Sequence, residues 1–114
     1  MMYRLQYAPA ARQDLRQIKA YIISEFSDSN LADTIIRKIT KSIRQLEVFP
    51  LKGHPLTNMI DVPTDYLYFV TEKNYVFYRT EAHMVKVVRI LNERQDFMHI
   101  LFGIIEADDW EQGK

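Results

Sequence analysis

Apolar residues recur with clear periods in the first part of the chain. Residues 3–7, YRLQY, place an apolar side chain at every second position, which is the period of a strand covered on one face. From Pro9, a residue suited to the first turn of a helix, apolar residues then recur every three or four positions down to Phe26. The pattern predicts a strand followed by an amphipathic helix.

A second amphipathic helix is predicted after a short polar turn. Its apolar stripe runs from Ala32 to Leu46, Asn30 is placed to cap its first turn, and Pro50 ends it. Asp33 puts a carboxylate near the positive end of the helix dipole. Two helices of similar length with so short a connection are expected to pack antiparallel as a hairpin.

The second half of the chain has the composition of a β-sheet. Segments 66–71, 75–80 and 85–91 are dense in Val, Ile, Tyr and Phe and are separated by tight polar turns, so they predict three antiparallel strands. Segment 50–65 contains three of the four prolines and predicts an irregular surface connection. With a last helix over 97–105, the order is β-α-α-β-β-β-α, an α+β fold in a single domain of 114 residues.

Composition narrows the classes of function. The chain is 47% apolar and 26% charged, has no cysteine, and contains no apolar run of the roughly 18 residues that a membrane span requires. A cytoplasmic domain without disulfides or thiolate metal ligands is expected, and it should not act at a membrane. The formal net charge is zero, which disfavours tight binding to nucleic acid, because such affinity comes largely from Lys and Arg replacing phosphate counterions.

The charges are nevertheless unevenly distributed. Residues 1–58 hold nine basic and five acidic residues, a net +4, whereas residues 59–114 hold six basic and ten acidic residues, a net −4. Four of the cations lie on or beside the outer face of the second helix: Arg37, Lys38, Lys41 and Arg44. This row is either a solvated helix face or a patch for phosphate or an acidic partner.

Most catalytic and ligand-binding motifs are absent from the sequence. Three glycines do not form a glycine-rich phosphate loop, and the three histidines, His54, His83 and His99, lack metal-ligand spacing. No cofactor and no metal is expected.

Alternation along the strands places Arg79 and Arg89 in rows that are otherwise apolar. Arg79 shares its row with Tyr75 and Phe77, and Arg89 shares its row with Val85, Val87 and Leu91. Either an arginine pairs with a carboxylate such as Asp96 or Glu93 and fixes the strand-to-helix corner, or both project at the sheet rim toward a ligand. Tyr78 is a candidate stacking surface or proton donor.

A group of polar residues follows the fourth predicted strand, in the sequence RILNERQDF. We interpret this group as both a corner and a site. Asp96 is expected to cap the last helix and to pair with an arginine. Arg89, Asn92, Glu93 and Arg94 are then presented at the edge of the sheet.

Three segments resemble the RelE/ParE superfamily of bacterial toxins from type II toxin–antitoxin modules. They are ARQDLRQIKAYI (11–22), KNYVFYR (73–79) and, most specifically, RILNERQDFMHIL (89–101). The similarity extends over nearly the whole chain and implies a helical hairpin against a twisted antiparallel sheet. It also implies a cognate antitoxin, from a neighbouring gene, that covers apolar surface of the sheet and last helix and through which alone operator DNA is bound.

Relatives of the RelE type cleave mRNA in the ribosomal A site, using cations, a general base and a general acid. The chain departs from their pattern, because Leu67 stands where relatives often have Arg and Asn92 where many have His. The position of a terminal catalytic Tyr falls near Phe97 or Met98. If the chain is nonetheless an RNA-cleaving enzyme, the resemblance points to Glu47, His54, Arg79, Arg89 and Arg94, with Lys52 nearby, as its catalytic residues.

Relatives of the ParE type resemble the chain in a longer helical hairpin, the loss of those catalytic groups and a similar corner, and they poison DNA gyrase. A toxin directed at a protein needs no positive net charge, so gyrase is the preferred target and the ribosome with mRNA is the alternative. A decayed or neutral member, which only binds its antitoxin and operator DNA, is a third hypothesis. The predicted target-binding residues are Arg89, Asn92, Glu93, Arg94, Arg37, Lys41 and Arg44.

Overall fold

The structure, a computed structural model, describes residues 2–95, 99, 100 and 103. It confirms the predicted α+β fold, with a helical hairpin against a mostly antiparallel sheet. The elements are β1 (Arg4–Tyr7), α1 (Pro9–Phe26), α2 (Ser29–Arg44), β2 (His54–Pro55), β3 (Leu67–Thr71), β4 (Asn74–Glu81) and β5 (Met84–Asn92), with 3₁₀ turns at Gln45–Glu47 and Leu56–Asn58. Within the predicted last helix, His99, Ile100 and Gly103 are helical, and the rest lies outside the described residues.

Local caps shape the turn of the helical hairpin. Ser27 ends α1 in a left-handed conformation (φ 52°), and its N–H donates to the Ile23 carbonyl at 2.8 Å. Asp28, rather than the predicted Asn30, caps α2, because its carboxylate accepts a hydrogen bond from the Leu31 N–H at 2.9 Å. The second helix therefore begins one residue before the predicted cap.

The sheet has the strand order β1-β5-β4-β3-β2, with β1 parallel to β5 and the other neighbours antiparallel. β2 is a two-residue edge strand inside the segment that was expected to be irregular, and its His54 and Pro55 pair with Tyr68 and Leu67. β1 pairs only with the first part of β5, Met84–Val87. The later part of β5 therefore has an edge that another element must complete.

Apolar side chains cover both faces of the sheet. The helix-side cluster comprises Ala11, Ile39, Ile43, Leu46, Phe69, Val76, Tyr78, Val85, Val87 and Ile90, and the loop-side cluster comprises Leu56, Ile60, Tyr66, Phe77, Val88 and Leu91. A shift of strand register opposite Phe77 and Tyr78 leaves Val88 of β5 without a partner on β4, and the alternation of β5 is broken there, because Val88 and Ile90 lie in different clusters. The continuous apolar row predicted around Arg89 is therefore wrong, since Val87 and Leu91 lie in different clusters.

Candidate functional site

A buried carboxylate on α1 completes the open edge of β5. Asp14 is 5% exposed, and its Oδ2 accepts hydrogen bonds from the Ile90 N–H at 2.9 Å and from Arg89 Nε at 2.8 Å. Its Oδ1 accepts a further bond from Arg89 Nη2 at 2.9 Å, so the guanidinium is held in a bidentate pair. Because Ile90 lies beyond the part of β5 that β1 covers, the carboxylate takes the place of a neighbouring strand.

This contact corrects the partner predicted for Arg89. The guanidinium binds Asp14 and not Glu93, while Asp96 lies outside the described residues. Sequence reasoning missed Asp14 although a signal was present, because it stands four residues before Ile18 on the inward face of α1. An acid on such a face requires a cation or several hydrogen-bond donors.

The chain after β5 folds into a tight turn that its own side chains close. Asn92 Oδ1 accepts from the Arg94 N–H at 2.9 Å, and Gln95 Oε1 accepts from the Asn92 N–H at 2.9 Å. The Glu93 N–H donates to the carbonyl of Lys73, in the β3–β4 turn, at 3.0 Å. The backbone of the corner is thus fixed, whereas the side chains of Glu93 and Arg94 are exposed.

The turn forms one rim of a cleft of about 590 Å³ beside α1, which we call the α1 cleft. Its apolar wall comes from the C-terminal half of α1, where Tyr21 and Phe26 are 52% and 61% exposed, and from Ile35 of α2. Its polar rim consists of Glu72, Lys73, Asn92, Glu93, Arg94 and Gln95. An apolar wall with a polar rim is typical of a surface that binds another protein.

An unpaired hydrogen-bond acceptor lines the α1 cleft. Asn74 is 2% exposed and lies opposite Asn92 in the register of β4 and β5. Its Nδ2 donates to the Glu72 carbonyl at 2.8 Å, whereas its Oδ1 is buried with no hydrogen-bond partner in the described structure. A buried polar atom without a hydrogen-bond partner costs the fold about 1–3 kcal/mol.

Two of the residues predicted for catalysis lie at opposite sides of the sheet. Glu47 is in the 3₁₀ turn next to β1, where its carbonyl accepts from the Tyr3 N–H at 2.8 Å. His54 is exposed on β2, at the other edge, with its ring centroid 5.6 Å from that of Tyr68. Arg94 belongs to the corner turn, and Glu47 and His54 remain at opposite sides of the sheet, so the structure does not gather these three residues into one cluster.

Arg79 and Tyr78 on β4 are both engaged inside the fold. Arg79 Nη2 lies 3.3 Å from Glu81 Oε1, and its Nη1 lies 3.9 Å from Asp65 Oδ2. Tyr78 is fully buried, and its hydroxyl accepts from the Gly53 N–H at 3.0 Å. Burial raises the pKa of Tyr78, and the hydrogen bond from Gly53 opposes that rise. The predicted stacking role of Tyr78 is wrong, because its ring has no exposed face.

The four cations predicted on the outer face of α2, at Arg37, Lys38, Lys41 and Arg44, are all exposed. Metal binding finds no support in the described residues, where no group of three or more His, Asp or Glu side chains could hold an ion. Neither helix that the structure fully describes has the length and hydropathy needed to cross a bilayer.

Known proteins share this fold, and one family model shares its sequence pattern. Among solved structures, the chain is similar to one from the chromosomal ParDE toxin–antitoxin system of P. aeruginosa, with a TM-score of 0.68 and 17% identity over 80% of this chain and 96% of that chain. It is also similar to one from the toxin–antitoxin complex RelBE2 of Mycobacterium tuberculosis, with a TM-score of 0.52 and 15% identity over 81% of this chain and 99% of that chain. None of the curated proteins matches the chain significantly. The model of the ParE toxin of the type II toxin–antitoxin system parDE matches residues 5–97, so the protein belongs to the ParE family of type II toxins.

Proposed function

We propose that the protein inhibits growth by binding and poisoning DNA gyrase. Membership of the ParE toxin family supports a toxin. The α1 cleft supports a protein as the target of this toxin, because its apolar wall and polar rim are suited to binding a protein surface. In this proposal Asn92, Glu93 and Arg94 contact the target, and Arg89 holds the corner in place through Asp14.

The net charge of the chain and the positions of its candidate catalytic residues both favour binding to a protein target over cleavage of RNA. The chain has no surplus of Lys and Arg to replace phosphate counterions. A ribonuclease needs a base, an acid and a cation within reach of one phosphodiester. Asp14 already neutralises Arg89, and Glu47 and His54 lie at opposite sides of the sheet. These positions support a toxin that acts without catalysis.

The cognate antitoxin is expected to cover the α1 cleft. Tyr21 and Phe26 expose large aromatic surfaces in its wall, and burying them favours association. Both solved relatives come from toxin–antitoxin pairs. Because the same cleft carries the proposed target-binding rim, neutralisation is a competition between antitoxin and gyrase for one surface.

Purified protein added to gyrase, ATP and plasmid DNA tests the target. We expect linear plasmid to accumulate after detergent and protease treatment, because the toxin traps cleaved DNA on the enzyme. Arg94→Glu should weaken this effect about tenfold, since it reverses a charge at the rim. Arg12→Glu is the matched control, because Arg12 is also exposed but does not line the cleft.

Messenger RNA provides the opposing readout. After induction in cells, the 5′ ends of translated messages should stay unchanged during growth arrest. Cuts in phase with codons, abolished by His54→Ala or Glu47→Gln, together with unaffected gyrase, would establish the RNA-cleaving alternative instead.

The antitoxin is tested in the same gyrase assay. Adding increasing amounts of the antitoxin, the product of the neighbouring gene, should restore supercoiling by gyrase as the antitoxin binds the toxin. A stable complex that contains toxin, antitoxin and gyrase together would contradict competition for the α1 cleft while leaving gyrase as the target.

A further inference from the structure

We infer that a second surface, at the C-terminal end of α2, binds an acidic amphipathic segment of a protein partner. This α2-end surface is a row of cations followed by an exposed apolar tip. It consists of Arg37, Lys38, Lys41, Arg44, Val48, Phe49 and Leu51. None of these residues lines the α1 cleft, so the two surfaces are separate.

The cations form one stripe along the helix. Arg37, Lys41 and Arg44 follow one another at four- and three-residue spacing, and the backbone stays helical through the 3₁₀ turn to Val48. Lys41 and Arg44 also interact favourably with the negative end of the α2 dipole. That effect is confined to the last turn and does not account for Arg37.

The acidic residues nearest to the stripe leave most of its charge unbalanced. Asp33, the one acid within α2, has its Oδ1 3.1 Å from Lys19 Nζ on α1. Glu47 is the next acid along the chain, is half-buried in the 3₁₀ turn after the helix, and forms no salt bridge with the stripe in the described structure. No cation of the stripe forms a salt bridge within the described structure.

An apolar tip continues the stripe. Val48, Phe49 and Leu51 are 55%, 63% and 71% exposed, although side chains of this kind are usually withdrawn from water. The tip is held against the end of α2, because the Phe49 N–H donates to the Gln45 carbonyl at 2.9 Å and Lys52 Nζ donates to Gln45 Oε1 at 2.9 Å. Stripe and tip therefore belong to one surface, and Lys52 adds a cation beside it.

The combination of charge and apolar area selects the chemistry of the partner. A phosphate backbone matches the stripe but leaves Val48 and Leu51 in water. A second copy related by a two-fold axis brings two positive stripes together, which is unfavourable. An acidic segment with apolar anchors satisfies both parts of the surface, with the ion pairs steering the encounter and the tip burying apolar area.

Fluorescence anisotropy with labelled probes tests this inference. The main probe is a peptide of about 18 residues, long enough for five helical turns, with Asp and Glu on one face and Leu on the other. The comparison probes are polyglutamate of the same charge and a duplex DNA of about 20 base pairs. We expect the amphipathic peptide to bind most tightly and to dissociate as salt is raised.

Two sets of variants separate the parts of the surface. The triple variant Arg37→Gln/Lys41→Gln/Arg44→Gln and the double variant Phe49→Ser/Leu51→Ser should each weaken binding of the amphipathic peptide about tenfold. The controls Arg12→Gln/Arg16→Gln and Val70→Thr replace exposed residues elsewhere and should bind like the wild type. All these side chains are exposed, so the variants should stay folded, with only a small fall in melting temperature for the triple variant, which also loses the favourable interaction of Lys41 and Arg44 with the α2 dipole.

Four results would each overturn the inference. In the first, the wild type and both test variants bind the amphipathic peptide equally. In the second and third, duplex DNA binds more tightly than the peptide, or polyglutamate binds as tightly as the peptide does. In the fourth, the wild type is a dimer that the variant Phe49→Ser/Leu51→Ser dissociates. The last result would assign the apolar tip to a second copy of the chain.

Discussion

Replacing Asp14 by Ala should be among the most destabilising single changes that this fold can undergo. The substitution removes three hydrogen bonds at once, two from Arg89 and one from the Ile90 N–H. Both ends of the contact are then left without a partner, because β1 does not reach this part of β5.

The magnitude follows from the burial of the two groups that lose their partner. Ile90 is 1% exposed, and an unsatisfied buried N–H costs about 1–3 kcal/mol. Breaking a buried ion pair costs about 3–5 kcal/mol, but the Arg89 side chain is 24% exposed and water recovers part of that loss. We therefore expect the free energy of unfolding to fall by about 3–5 kcal/mol in total.

Milder substitutions separate the two contributions to this fall in the free energy of unfolding, which are the charge of the carboxylate and its hydrogen bonds. Asp14→Asn keeps an acceptor for the Ile90 N–H but removes the negative charge beside the guanidinium, and it should cost about 2 kcal/mol. Arg89→Met leaves the carboxylate buried with one donor. A double-mutant cycle of these two changes should give a coupling energy of about 2 kcal/mol, because the residues are in direct contact.

Urea denaturation followed by circular dichroism measures these losses. Asp33→Ala is the control, since its salt bridge with Lys19 joins two half-exposed side chains and should be worth less than about 1 kcal/mol. If Asp14→Ala cost no more than that control, the carboxylate would not complete the edge of β5 and the reasoning would be refuted.

Three further predictions concern β4 and its neighbours. Gly53→Ala should cost roughly 1–3 kcal/mol in the same urea titration, because a Cβ there would lie 2.7 Å from Tyr78 Oη and 2.8 Å from the Tyr68 carbonyl oxygen. Burial raises the pKa of Tyr78 above its ordinary value of 10.0, so its contribution to stability is complete below that pH and is lost as the pH rises through the folded-state pKa. Urea midpoints at alkaline pH should show this fall, and Tyr78→Phe should reduce it. Asn74→Ala should change stability by less than about 1 kcal/mol, because losing the bond to the Glu72 carbonyl is offset by removing an unpaired oxygen.

Elements with one apolar face could be predicted from periodicity, and other features could not. The stripe from Pro9 to Phe26 gave both ends of α1 as the structure has them. The cap of α2 was misplaced, because Asp28 and Asn30 are both capping residues in one polar turn and only the backbone distinguishes them. β2 is two residues long, which is too short to show any period.

The candidate site was harder to predict because its main contact is not local. Asp14 and Arg89 are 75 residues apart in the chain, so no spacing rule connects them. The register shift in β4 and β5 also breaks the alternation from which the row around Arg89 was inferred. The sequence of the corner nevertheless singled out residues that the structure places together, since Asn92, Glu93 and Arg94 all line the α1 cleft. Their role in binding a target stays a prediction.

The position of Asp14 also explains why the corner and the cleft occur together. Its hydrogen bonds tie the first half of α1 to β5, while the second half of the helix, with Tyr21 and Phe26, forms the wall of the α1 cleft. Asp14→Ala is therefore expected to lose stability and toxicity together, because the rim is no longer held at a fixed distance from that wall. Arg94→Glu should lose toxicity at unchanged stability, since its side chain is exposed. Equal loss of stability in both variants would show that the corner has a structural role alone.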